Sequence, residues 1–443
     1  MAGLRDLFVK FSNVKGEVAW VLAGQVLVLA GGLVGVKLLT NIMPQEAYGE
    51  LALGMSIAGL INMFLFGPLG QVVLRYYSVS KDRGEQVVYY SLLRQLHLWL
   101  LIILAVGGAV VALAVDVVAG TGWAWLTAAA VAFGVASGLL GSAQGLFTAA
   151  RERRLTALSQ SADVWLRYGM ALLLLYLGGR EGYWALAGYA LGSLLILLFQ
   201  IQPVRHMIRD AKGGDMVPVD VLTHYRDEFW RFGTPFVAFA GLAAISQYAD
   251  RWLLQGLAGK VEVGVYAALY QIASAPIGLL AGVVTQLVVP VVFARAGALA
   301  QTMQIEQSRN LLNLTLLIVA VAFAMAVLAA ALWGEIIVTW LANASFARYG
   351  NILWILVLGL AIFHMAQLMV AEGLSRNLSR RYFWPKFSQG LTLLVAGYVL
   401  VAAYGLWGMA VALLLSSLVY CALVMQVNAL LRRESAAIVS HLD

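Results

Sequence analysis

The chain has 443 residues, 62% of them hydrophobic and 12% charged, against roughly 25% charged in an ordinary soluble chain, so a soluble fold is excluded. At about 20 apolar residues per crossing, that apolar content suffices for on the order of a dozen membrane helices, and 44 Gly against 8 Pro suits tightly packed helices better than a barrel. The net charge of +7 is read as a membrane-topology signal rather than a nucleic-acid footprint, and the single Cys421 excludes an intrachain disulfide and a cysteine metal site.

The first span, 17–39, follows a basic start at Arg5, Lys10 and Lys15. It is longer than a signal-peptide core and has no small-residue cleavage site, so it is retained as a membrane helix. Lys37 lies near its far end, after the close-packing pair Gly31 and Gly35. The second span, 48–74, closes on Gly67-Pro68-Leu69-Gly70 and then Arg75; the Gly-Pro step is expected to interrupt the helix. The third, 89–115, carries Arg94 and His97 on one face, where a long Arg bends back to the headgroups. The fourth, 123–149, repeats glycine at four-residue spacing in Gly134/Gly138 and Gly141/Gly145.

In the fifth span, 160–179, Asp163 precedes Arg167 by four residues, the order that favours an ion pair on one helix face. Two readings stay open: a neutral pair that packs the lobe, or a pair that opens so that Arg167 takes a substrate phosphate. The sixth span, 183–203, ends at the longest polar connection, Arg205 to Arg231, with Gly213, Gly214 and Pro218. That connection divides the chain into two six-helix lobes, 1–212 and 213–443.

The seventh span, 229–255, places Asp250 and Arg251 near its outer end. Neighbours on a helix are about 100° apart, so the two are expected to point apart, one of them toward a lumen. The eighth, 264–292, contains Pro276, which is expected to interrupt the helix, and Gly278/Gly282; the ninth is 309–333. The tenth, 347–374, sets His364, Gln367 and Glu372 on roughly one face. His364 is either a neutral ring hydrogen-bonded to a neighbouring helix or part of a proton relay. The last two, 386–404 and 406–430, are separated only by a tight turn at Tyr404-Gly405. Deep amides such as Asn62, Gln144 and Gln247 suit either sugar hydroxyls or bonds between helices.

Most of the 29 Lys and Arg residues fall on one side of this twelve-helix layout, which puts both termini in the cytoplasm. No outer connection is long enough to fold a catalytic domain. No phosphate-binding Gly loop with its Lys and hydroxyl occurs, the five His residues are scattered, and no carboxylate pair is spaced for acid-base work. The expectation is a transporter rather than an enzyme, with no cofactor and no metal.

Gly67-Pro-Leu-Gly-Gln-Val-Val-Leu-Arg75-Tyr-Tyr, and Tyr248-Ala-Asp250-Arg251-Trp-Leu-Leu running to Glu262-Val-Gly264-Val-Tyr266, resemble the polysaccharide-repeat flippases of the multidrug/oligosaccharidyl-lipid/polysaccharide (MOP) exporter superfamily. The resemblance implies an all-α fold of two lobes in a V shape, as in multidrug and toxic compound extruders (MATE transporters). It implies a bacterial inner-membrane protein moving undecaprenyl-diphosphate-linked oligosaccharide from the cytoplasmic to the outer leaflet, with H+ or Na+ as coupling ion. Glycosyltransferases or a polysaccharide polymerase are the implied partners. Arg75, Asp250 and Arg251 match family-like positions, and Lys37 follows by extension through the internal repeat. The alternatives are a drug/cation antiporter of the same superfamily, which needs an acidic, aromatic cavity, a symporter on another twelve-helix fold, and a membrane glycan polymerase.

Overall fold

The computed structural model describes residues 2–211, 219–289, 291–292, 302–376 and 378–440, and every element among them is helical. Gly213, Gly214 and Pro218 of the polar connection lie outside the described residues, as do Pro290 at the end of the eighth predicted span and Arg295. The helices are α1 (Ala2–Ile42), α2 (Gln45–Ile61), a π turn (Asn62–Phe66), α3 (Gly67–Arg83), α4 (Gln86–Ala119), α5 (Thr121–Ala149), α6 (Arg153–Gly178) and α7 (Gly182–Arg209). They continue with α8 (Val219–Leu257), α9 (Lys260–Leu287), α10 (Thr302–Leu341), α11 (Ala344–Ala347), α12 (Leu353–Met369), α13 (Ala371–Leu374) and α14 (Phe383–Ser440).

Among the described residues ten helices are long and apolar enough to cross a membrane. Two further crossings come from chemistry that such a count misses. Asp163 and Arg167 lower the apolarity of α6, which nevertheless packs between α1 and α7. The run Ser379–Glu434 counts as one span, yet Gly405 inside it has φ 54 and ψ −129. In a continuous helix, residues 400 and 408 would stand about 12 Å apart along the axis, whereas the α-carbon of Gly408 packs directly against the Leu400 carbonyl. The chain therefore folds back at Gly405, as Tyr404-Gly405 predicts, and the two halves form a hairpin. Large apolar side chains stand fully outward, among them Val117, Val118, Tyr176 and Trp340, as lipid-facing surfaces require. The apolar window of α4 buries none of its residues within the protein.

The chain forms two compact units, Met1–Ala244 and Ile245–Asp443. The division falls inside α8, beyond the connection where the sequence sets it, and an aromatic cluster explains why. Tyr225 and Phe229, at the start of α8, are buried with Tyr89 and Tyr90 of α4 and pack on Tyr76 of α3. Each such ring pair contributes about 0.5–1.5 kcal/mol beyond its buried area. The Tyr225 hydroxyl donates to Glu85 at 2.5 Å, and Arg83 pairs with Glu228 at 3.4 Å.

Within the first unit, glycines set the helix spacing. A Cβ at Gly31 would come within 2.9 Å of Val164, and Gly35 lies against the Tyr168 ring, so α1 seats on α6. Gly134 faces Ile61 and Ala58, and Gly138 faces Phe66, which seats α5 on α2 and its π turn. The closest seam, α6 on α7, uses Gly188 against Ala171 and Gly192, whose Cβ would sit 2.7 Å from the Arg167 nitrogen. Sequence reading passes over that pair. Gly141, by contrast, has nothing within 4 Å, so Gly141/Gly145 is not a close seam.

Three expectations change. Gly67-Pro68 does not interrupt the second span: the chain runs helically from Gln45 to Arg83, and the π turn Asn62–Phe66 accommodates the missing Pro68 N–H. Pro276 likewise sits inside an unbroken α9. The ninth span continues past 333 to Leu341 across a local kink at Trp333 (φ −126, ψ 20). The tenth reaches Leu374, as expected, with Val370 the single turn residue between α12 and α13.

Candidate functional site

In each unit an arginine within an apolar helix is held by a buried carboxylate on the same helix. In the first unit, Asp163 and Arg167 occupy successive turns of α6 and form the expected ion pair. Arg167 Nε donates to Asp163 Oδ1 at 2.9 Å, and its Nη2 donates to Oδ2. Ser193 of α7 donates to Asp163 Oδ1 at 2.8 Å and accepts from Arg167 Nε at 3.0 Å. The guanidinium lies 5.1 Å over the Phe133 ring of α5. Asp163 is 4% exposed and Ser193 wholly buried. Gly192 permits this geometry, because only a residue without Cβ lets the α7 backbone approach Arg167 closely enough to present the next hydroxyl.

In the second unit, Asp250 and Arg251 do not point apart. The expectation considered only the helical angle; the long Arg side chain folds back over its neighbour. Arg251 Nη1 lies 3.2 Å from Asp250 Oδ1 and donates to the Gln247 carbonyl at 2.8 Å. Tyr266 of α9 donates its hydroxyl to Asp250 Oδ2 at 2.8 Å, and the guanidinium lies 5.1 Å over the ring of Tyr270. Asp250 and Tyr266 are buried. Tyr266 and Tyr270 are site residues that sequence reasoning missed, although their four-residue spacing on one face was a readable signal.

The two clusters share a chemistry: an arginine, a carboxylate, a hydroxyl donating to that carboxylate, and an aromatic face under the guanidinium. A neutral pair of this kind tolerates a low-dielectric setting that would reject either charge alone. An arriving phosphate offers oxygens in the geometry the carboxylate now supplies, so guanidinium N–H groups can pass from one to the other.

The other predicted residues lie apart from these clusters within their units. Lys37 is half-buried on α1, one turn from Thr40, whose hydroxyl donates to the Val36 carbonyl at 2.8 Å. Arg75 is exposed on α3. His364 is half-buried and meets Phe363 edge-on at 5.4 Å; it makes no hydrogen bond among the described residues, so the expected bond to a neighbouring helix is absent there. Gln367 accepts from Tyr420 at 3.0 Å, and Glu372 pairs instead with Arg432 at 2.7 Å and Arg376 at 3.8 Å. Of the deep amides, Asn62 donates to Ser137 and Gln144 to Ser159, both at 2.9 Å, joining helices rather than lining a sugar site. Among the described residues no cluster of His, Cys, Asp and Glu is arranged to hold a metal ion.

The fold is that of known exporters. It superposes on the lipid II flippase MurJ in an inward closed conformation with a TM-score of 0.69 at 13% identity, covering 92% of this chain and 87% of that one. An inward-facing multidrug resistance MATE family transporter of the MOP superfamily gives 0.65 at 14% identity, covering 92% and 96%. A MOP superfamily transporter from Pyrococcus furiosus, described by the reverse polarity of its binding pocket, gives 0.61 at 15% identity, covering 93% and 95%. No curated protein matches the chain. Residues 14–296 match the family described as "Polysaccharide biosynthesis protein", and the chain, a multi-pass membrane protein with the MOP exporter fold, belongs to that family.

Proposed function

We propose that this protein flips undecaprenyl-diphosphate-linked oligosaccharide repeat units from the cytoplasmic to the outer leaflet of a bacterial inner membrane, by alternating access, for surface polysaccharide synthesis. The observation that carries the reading is the recurrence, in each unit, of a restrained arginine inside apolar helices: Arg167 with Asp163, and Arg251 with Asp250. A diphosphate cannot cross hydrocarbon unaided, and a cation in a water-poor site attracts it far more strongly than in bulk water. The family match supports the polysaccharide end of the superfamily. On this reading both termini face the cytoplasm, and Lys37 and Arg75 help recruit the anionic head. His364 and the two aspartates are the groups through which H+ or Na+ would couple.

Deletion of the gene tests the proposal. Accumulation of a lipid-linked glycan on the cytoplasmic side, with loss of surface glycan, is the expected result. Normal surface glycan with altered drug tolerance would replace it with the antiporter reading.

A further inference from the structure

Away from the Asp163–Arg167 cluster, α4, α5 and α7 line an open cavity of about 320 Å³ within the first unit. Its wall is mostly Leu, Val and Ala, broken by Arg94 and His97 from α4 and by Gln200 and Arg205 from α7. Arg94 and Arg205 are exposed, and neither has a carboxylate partner among the described residues.

The two polar side chains between them are incompletely satisfied. His97 Nδ1 lies 2.7 Å from the Leu93 carbonyl, which can only accept, so Nδ1 carries the proton and Nε2 of the neutral ring is an acceptor. That Nε2 is buried without a partner. Gln200, 4% exposed, donates through Nε2 to Ser159, while its Oε1 is also buried without a partner. Two cations at the cavity and two unmet acceptors in its lining define a ligand that is a phosphate bearing hydroxyl donors.

The apolar part defines the rest of the ligand. Leu101 and Leu139 line both this cavity and a second one of about 630 Å³, where Gly108 and Ala112 of α4 face Ala and Val side chains. From Arg94 to Ala112 the helix rises about 27 Å, more than the half of the roughly 30 Å hydrocarbon layer that an acyl chain of one leaflet fills.

We propose that these adjoining cavities together bind an anionic glycerophospholipid with a hydroxylated headgroup, of the phosphatidylglycerol kind. Its phosphate meets Arg94 and Arg205, its headgroup hydroxyls meet His97 and Gln200, and one acyl chain lies along α4. The site stands independently of the transported substrate, since neither Asp163 nor Arg167 lines it.

The test is native mass spectrometry and thermal unfolding of the full chain in detergent, titrated with dioleoyl phosphatidylglycerol, dioleoyl phosphatidic acid, dioleoyl phosphatidylcholine, polyprenyl phosphate and glycerol phosphate. Phosphatidylglycerol is expected to bind most tightly and glycerol phosphate not at all. The double substitution Arg94→Gln/Arg205→Gln is expected to weaken phosphatidylglycerol by about tenfold or more. Leu101→Trp, which keeps every polar group and blocks the groove, is expected to weaken it as well. Equal binding of phosphatidylcholine, preference for polyprenyl phosphate, binding of tail-free glycerol phosphate, or undiminished binding by both variants overturns the proposal. The lipid series on the unaltered chain decides the headgroup even where a variant does not fold.

Discussion

Replacing Arg167 by Met leaves Asp163, 4% exposed, with only the Ser193 hydroxyl at 2.8 Å. Removing one partner of a buried pair costs 3–5 kcal/mol because the other charge is stranded. The Arg167 side chain is 27% exposed, which places the expected loss near the low end, about 3 kcal/mol. Asp163→Leu alone is expected to cost less, about 1–2 kcal/mol, because the guanidinium keeps its seat over Phe133 at 5.1 Å. Removing both, as Asp163→Leu with Arg167→Met, is expected to lie within about 1 kcal/mol of the parent, since a packed apolar pair replaces a desolvated ionic one. The measurement is a double-mutant cycle by chemical unfolding in detergent, paired with assay of surface glycan and of cytoplasmic-side lipid-linked glycan. A double variant as unstable as the summed singles would show that the two residues do not act as a unit. A stable double variant with normal surface glycan would remove Arg167 from the proposed phosphate path.

Tyr266→Phe deletes the hydroxyl that donates to Asp250 at 2.8 Å; an expected loss of about 1–3 kcal/mol, together with reduced export, is read by unfolding and surface-glycan assay. At the α6–α7 seam, Gly192→Val is expected to destabilise by about 1–3 kcal/mol or more, while Gly141→Ala, with nothing within 4 Å, should gain up to about 1 kcal/mol of helix propensity; thermal unfolding distinguishes them. Gly405→Ala is expected to cost about 1–3 kcal/mol, because φ 54 with ψ −129 is a conformation a side chain resists, and the melting temperature of the hairpin variant checks it.

How far the sequence reaches depends on the range of the interaction being read. Spans are legible because crossing a bilayer is a requirement on local apolar length, and the turn at Gly405 is legible because Tyr404-Gly405 is the only break between two apolar runs. Asp163 and Arg167 are legible because four residues is one helical turn, so their meeting needs no other helix. Asp250 and Arg251 are misread for the complementary reason: the angle between neighbours says nothing about a flexible side chain that finds Tyr270 and a backbone carbonyl. The π turn at Asn62–Phe66 is also missed, since it is set by backbone hydrogen bonding just ahead of Pro68.

Apolar length, charge asymmetry and turn chemistry were thus enough by themselves to specify a helical membrane protein with the right number of crossings. Which glycines form seams and which stand open, the hydroxyl and the ring that complete each arginine cluster, and the unmet acceptors on His97 and Gln200 were decided only by tertiary structure. These depend on which helix comes to lie beside which, and a packed neighbour brings together residues whose distance along the chain carries no record of their distance in space.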